Sequence, residues 1–411
     1  MSAMKVLVAH NRYAAAAPSG ENIVVDAEIA QLRAAGVTVL PFLRSSDEIG
    51  DLPAAQRALL PLSPIYNGPS QRALDEVLRT ERPDLVHLHN PYPLLSPWVV
   101  RTAHRRGVPV IQTVHNYRQV CAPGLYFRDG HVCHDCRGKA FGLPAIRHAC
   151  YRGSRAQSAI MATTLAVHRG TWRSVDRYVA LTDAIAGHLR DYGIPADRIS
   201  VKPNAITDPG AVATAGDGFL VACRLVPEKG VGLVLDAWRR HGDGELGNLR
   251  IAGDGPLRPL VESVAAGRAD VTYLGPLGRS DTFAAMAASA CVIMASTWDD
   301  PLPTVVLEAL ATGRPVLGTA MGGIPYLVGG STGAGIPADA GVPTGAAGAA
   351  GATGAAGWIV EPTVEAVSAG LKVAAAGAGS LAATARLRYE RNFSPDVLVD
   401  RLLDIYREVA R

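Results

Sequence analysis

Arg224 and Lys229 stand in CRLVPEKG, residues 223–230, between an apolar run and an amphipathic one. A guanidinium can grip a phosphate with two parallel hydrogen bonds, and an ammonium supplies a compact second charge. A helix starting just after them adds the positive end of its dipole. The pair fits a diphosphate; the plain alternative is two solvated charges on a loop. Further on, DDPLPTVVLE, residues 299–308, sets Asp300 and Glu308 eight residues apart. Thr304 opens a predicted helix, with Glu308 about one turn inside it. Carboxylates accept hydrogen bonds from the vicinal hydroxyls of a ribose or a sugar, although an acid near a helix start is also useful purely electrostatically. His115, in TVHNYRQVC, follows an apolar run and is either a pocket residue or a satisfied core histidine.

Four of the six cysteines, Cys121, Cys133, Cys136 and Cys150, fall within thirty residues and include one CxxC. Zinc wants four soft ligands in a tetrahedron, and a CxxC supplies two from one turn. His131, His134 and His148 are nearby substitutes. The spacing fits a structural zinc, or else free thiols with one redox-capable pair. An open catalytic metal position is not expected from four thiolates.

These residues sit at the ends of a repeating pattern. Short apolar runs at 5–9, 37–41, 85–89, 108–114, 178–181 and 199–202 alternate with amphipathic stretches. A second series follows at 219–223, 249–252, 271–274, 291–295 and 315–318. Strands that are apolar throughout and separated by helices imply parallel sheets covered on both faces. The expected fold is α/β, two doubly wound Rossmann-like domains facing a central cleft. The expected boundaries are 1–207, a small-residue linker 208–217, 218–390 and a C-terminal helix 391–411 that Ser394-Pro395 would start. Residues 329–357 are nearly all Gly and Ala and read as a surface insertion. In doubly wound sheets ligands bind at the carboxyl ends of the strands. There this sequence places His10, His89-Asn90, His115, Arg224, Gly253 and Ser296 to Asp300.

At 411 residues and 48% hydrophobic, with mean hydropathy +0.14, the chain can build sizeable cores and is not globally disordered. No stretch approaches about 20 apolar residues free of charge, which argues against a transmembrane helix. The short N-terminal apolar run reads as a first strand rather than a signal. A cytoplasmic protein is expected. The net charge of +3 hides an asymmetry: residues 1–205 carry 24 Lys+Arg and 16 Asp+Glu, the rest 16 and 21. Residues 101–173 hold twelve basic groups and two acids, a face for an anionic partner or simply a solvated one. Residues 147–173 are basic and amphipathic, fitting peripheral contact with the inner face of an anionic membrane or an ordinary helix. Nucleic-acid binding has no supporting motif.

In order and spacing, these motifs resemble retaining glycosyltransferase family 4, the group 1 glycosyl transferases of GT-B fold. The resemblance runs through residues 10–21, 113–121, 178–204, Arg224 to Gly230, 253–256, 275–278, Asp300 to Glu308 and 313–325, about 90% of the chain. It implies transfer of a sugar from a nucleotide-diphosphate sugar to a polysaccharide, lipid-linked or natural-product acceptor. The anomeric configuration would be retained by front-face attack without a metal. Arg224 and Lys229 would neutralise the leaving diphosphate, and Glu308 would bind ribose. Asp300, with backbone N–H groups around Leu302 and Thr304, would hold the sugar. His115 would line the sugar pocket, and Gly20 and Gly253 would let backbone approach the phosphates. The family usually has Glu at Asp300 and Gly at Pro301 and Pro303, and the two prolines remove two donors. A nucleotide-sugar epimerase of the same architecture and a non-catalytic sugar-nucleotide-binding scaffold are the competing readings.

Overall fold

The computed structural model describes residues 4–15, 20–210, 215–329 and 355–410. Residues 16–19, the middle of the linker and most of the Gly/Ala insertion lie outside them. The chain forms two compact units: residues 1–126, 133–205 and 395–411, and residues 127–132 and 206–394.

In the first unit, β1 (Lys5–Arg12), β2 (Thr38–Ser45), β3 (Leu85–Leu88), β4 (Val110–Val114), β7 (Arg177–Ala180) and β8 (Ile199–Val201) form one sheet. A two-stranded hairpin, β5 (Phe127–Arg128) and β6 (His131–Val132), intervenes in sequence. The order is β2-β1-β3-β4-β7-β8 and every neighbour is parallel. β3 and β4 are buried at every residue, as a sheet covered on both faces requires. The helix Gly20–Ala34 buries Val24, Val25, Glu28, Ile29 and Leu32, so one acid lies inside its apolar stripe.

The second unit repeats the plan with β9 (Phe219–Ala222), β10 (Leu249–Ala252), β11 (Val271–Gly275), β12 (Cys291–Met294), β13 (Val316–Thr319) and β14 (Gly357–Val360). Its order, β11-β10-β9-β12-β13-β14, reverses direction between β9 and β12. The first sheet reverses between β1 and β3. Those switch points are where doubly wound sheets open a crevice for ligands.

Two sequence expectations are corrected. Gly357, taken as the end of the insertion, opens β14 with φ +156°, and a Cβ there would lie 1.9 Å from the Val316 carbonyl oxygen. Close backbone approach, not looseness, explains this glycine. The helix Pro395–Val409 is not a separate appendage: Leu402, Ile405 and Tyr406 complete a core with Val6, Val8, Val25, Ile29, Ile111 and Val179 of the first unit. Ser394 Oγ donates back to the Glu390 carbonyl at 3.0 Å.

By length and composition, the segment Val364–Val409 could cross a membrane. Instead it divides at Ser394 between the two units. The helix Val364–Asn392 buries Val367, Gly370, Leu371, Ala374 and Ala378 in the second core. Leu371 is fully buried and Leu387 is 46% exposed. Leu371→Ala should therefore cost roughly 2–5 kcal/mol, and Leu387→Ala less than about 0.5 kcal/mol, as read by urea unfolding. Equal effects would contradict this packing.

Candidate functional site

At the second unit's switch point the chain leaves β9 into Cys223-Arg224 and leaves β12 into the loop 296–303. Gly230 has φ +71°, and a Cβ there would lie 1.7 Å from the Ala295 carbonyl oxygen. Only glycine lets the two loops close this tightly. Thr297 N–H donates to the Glu228 carbonyl at 3.0 Å, which stitches them together. Lys229 thereby reaches Asp300 and forms an ion pair with both side chains largely buried. The Lys229 ammonium also lies 5.7 Å from the Trp298 ring centre. Arg224 is exposed beside them.

Asp300 is held from its other side as well. Its carbonyl accepts from Gly323 N–H at 2.7 Å, while Gly322, with φ +52°, would push a Cβ to 2.2 Å from that oxygen. The Asp300 N–H is spent on the Trp298 carbonyl at 2.8 Å, and Pro301 and Pro303 have none. Leu302 is buried, and Thr304 opens the helix Thr304–Ala311. Glu308 lies one turn in; burial pushes its carboxyl up, with Arg279 pulling the other way. Arg279, at the start of the helix Arg279–Ala287, was not singled out from sequence. Gly253, φ +137°, comes so close to β9 that a Cβ would lie 1.9 Å from the Cys223 carbonyl oxygen.

The first unit holds a polar cluster that the sequence only half disclosed. Lys202 Nζ donates to Glu28 Oε2 at 2.6 Å, both buried. Glu28 Oε1 lies 3.3 Å from His87 Nδ1 and 3.3 Å from His89 Nε2. His89 Nδ1 lies 3.0 Å from His115 Nε2, with the two rings stacked. Burial alone would push the Glu28 carboxyl up; Lys202 and the two histidines outweigh it and hold it well below the usual range. Burial, with His89 and His10 beside it, draws His115 well below the ordinary histidine range. His115 is therefore neutral at neutral pH.

His115 and His89 also line a small cavity with Glu21, Gln112, Arg118 and Trp172. Gly20 opens the helix beside Glu21; a Cβ there meets nothing within 4 Å, so this backbone does not demand glycine.

Glu28, His87 and His89 bring one ligand atom each within 4.8 Å of one another. They do not suit a metal. Lys202 already occupies the carboxylate, and both nitrogens of His87 are engaged, Nδ1 with Tyr406 Oη at 2.6 Å and Nε2 with Thr113 Oγ1 at 2.8 Å. Cys121, Cys136 and Cys150 pack against the first core, close to Cys133. Burial pushes the Cys121 and Cys136 thiols up, and nearby sulfurs add to it. The four sulfurs do not form a group within 4.8 Å among the described residues.

Residues 8–205 match the Glycosyl transferase 4-like domain, and residues 216–351 match Glycosyl transferases group 1. A Salmonella typhimurium protein assigned to colanic acid biosynthesis as the glycosyltransferase WcaL is 27% identical over 178 residues, 38% of this chain and 42% of that protein. The chain thus spans under half the length of this curated relative. Among solved structures, sucrose-phosphate synthase of Thermosynechococcus elongatus superposes with TM-score 0.66 at 18% identity, covering 98% of both chains. Anabaena HepE in complex with UDP-glucose gives 0.59 at 14% identity, covering 98% of this chain and 100% of that one.

The buried ion pair has a testable consequence. Lys202→Met strands the Glu28 charge and should cost about 3–5 kcal/mol, most of which Glu28→Leu on top of it should restore. Because the Glu28 carboxyl is depressed in the fold, its stabilisation is present above the ordinary value of 4.5 and lost as pH falls further. Lys202→Met should flatten that acid dependence in unfolding curves measured between pH 3 and pH 7. An unchanged profile would refute the pairing.

Proposed function

The chain belongs to the group 1 glycosyltransferases, and on that premise we propose that it moves a sugar from a nucleoside-diphosphate donor to a glycan or lipid-linked acceptor with retention of configuration. The observation that carries the donor half is the second unit's switch point, where Arg224, the Lys229–Asp300 pair and a helix start converge. The Anabaena HepE structure, a complex with UDP-glucose, supports a uridine nucleotide sugar as the first donor to try.

In this reading Arg224 and Lys229 face the diphosphate, where negative charge grows as the sugar–phosphate bond breaks. Cations fixed there stabilise the transition state more than the ground state. Lys229 exchanges Asp300 for phosphate when donor arrives, and the freed carboxylate turns to sugar hydroxyls. Glu308 accepts from the ribose. Leu302 and Thr304 offer the sugar the N–H groups that the flanking prolines lack. His115, neutral and oriented through His89, gives the sugar a hydrogen bond rather than a charge. No protein carboxylate is assigned as nucleophile, in keeping with front-face attack. The cysteine block is assigned a structural role, as a zinc staple or a set of buried thiols. Zinc analysis of the purified protein separates these: about one ion per chain for the staple, none for the thiols.

The donor site predicts an order of effects. Arg224→Ala should weaken UDP binding roughly tenfold. Lys229→Ala should weaken it more, towards a hundredfold, because it also leaves Asp300 facing the phosphates; Asp300→Asn on top should recover part of the loss. His115→Ala should lower kcat and leave UDP affinity intact. Calorimetry with UDP, GDP, ADP and TDP, then NMR of the anomeric product, checks this. If no nucleotide binds, or the product is inverted, the reading fails.

A further inference from the structure

Among the described residues eight large apolar side chains are exposed, and six of them come from two stretches of the first unit: Leu59, Leu62 and Tyr66, then Phe141, Leu143 and Val167. Leu59 and Leu143 are each 64% exposed. Single exposed apolar side chains are ordinary on a protein surface. A group of them marks a surface that something else covers.

The two stretches meet at the helix Arg155–Val167. Gly142, between Phe141 and Leu143, lies so near it that a Cβ would sit 3.4 Å from the Ala162 Cβ. At the helix end, His168 Nε2 lies 2.8 Å from the Ile65 carbonyl oxygen, beside Tyr66. The Tyr66 ring stands edge-on to Trp98 with centres 5.0 Å apart, and the Arg101 guanidinium lies 4.5 Å from the Trp98 ring centre. Arg101 Nη2 in turn donates to the Val167 carbonyl at 3.5 Å. The helix itself turns Met161, Ala162 and Leu165 inward. The exposed apolar side chains therefore stand at its end and on its neighbours, not along one stripe of it.

The charge of this region is one-sided. Residues 52–74 and 136–175 contain two and seven Lys+Arg respectively, and no Asp or Glu. Among the described residues, Arg57, Lys139, Arg147, Arg152 and Arg155 are exposed and form no ion pair, whereas Arg137 is paired with Asp191. Cations with no acids between them make a positive surface. Exposed apolar groups among them suit it to an anionic amphiphile.

We propose that this face docks on an anionic lipid bilayer, with Leu59, Leu62, Phe141 and Leu143 entering the headgroup boundary and the unpaired cations meeting lipid phosphates. The apolar side chains select this occupant. A nucleic acid would satisfy the same cations and leave Leu59 and Leu143 in water. Arginine and lysine lay their methylene stems along apolar surface while the charged head stays at the phosphates. Tyr66 and Trp98 combine an apolar body with a polar tip, as side chains at a membrane interface do. The proposal concerns where the protein works, and it does not depend on the donor reading.

The test uses the full chain and sedimentation with vesicles, of phosphatidylcholine alone or mixed with phosphatidylglycerol. Binding to the anionic vesicles should be at least about tenfold tighter and should weaken as salt is raised. Each cation near such a surface strengthens binding about fivefold, so Arg147→Gln, Arg152→Gln and Arg155→Gln together should lose about a hundredfold. Leu59→Ser with Leu143→Ser keeps every charge and should still lose about tenfold. All five side chains are exposed, so both variants should melt with the wild type, which thermal unfolding checks. No binding to anionic vesicles, equal binding to both kinds, or undiminished binding of the serine variant overturns the proposal. The last would mean charge alone, and a single-stranded oligonucleotide would then compete the vesicles away. Absence of UDP binding in calorimetry, with vesicle binding intact, would overturn the donor reading and leave the docking face standing.

Discussion

The buried contact between Lys202 and Glu28 sets the terms for the whole first unit. Two charges taken out of water are tolerable only if they meet each other and if the remaining lone pairs are used. Glu28 comes from the helix after β1 and Lys202 from the end of β8, so their meeting ties the helix that follows β1 to the edge strand β8. The carboxylate's other oxygen then faces His87 and His89 from β3 and its end. His89 in turn lies against His115. One desolvated ion pair therefore sits at the centre of both the packing of the unit and its histidine cluster.

The second unit solves its problem with backbone instead. Glycines at 230, 253 and 322 let chain segments approach where any Cβ would collide with a carbonyl oxygen. That closeness brings Lys229 against Asp300 and leaves Arg224 at the edge. The two units share a strand plan and use different means at the same place: a polar network inside the first, a tight weave of loops in the second.

Much of this was legible in the residues. The apolar runs located eleven of the sheet strands, and the family resemblance is confirmed by matches over both halves. β14 was missed because it follows a Gly/Ala run whose composition hides it; its strand character comes from pairing with β13. Arg224, Lys229, Asp300 and Glu308 could be singled out because they cluster in sequence. Glu28 and Lys202 could not, since their roles arise from elements far apart in the chain. One signal was available: Glu28 is an acid on the apolar stripe of its helix, and such a residue demands a buried cation. Gly20 shows the converse, a motif position whose backbone makes no special demand here.

The return of the chain to the first unit governs how the protein can be made. Residues 5–201 supply every strand of that sheet, yet a face formed by Val6, Val8, Val25, Ile29, Ile111 and Val179 waits for Leu402, Ile405 and Tyr406. During synthesis this face emerges first and is covered only after residues 395–410 have been made. The second unit, continuous from 206 to 394 apart from the short hairpin, can close in the meantime. The nascent first unit thus carries an uncovered apolar surface for nearly two hundred residues of elongation, and such transiently exposed surface is prone to aggregation. A truncation before residue 395 would make that temporary exposure permanent.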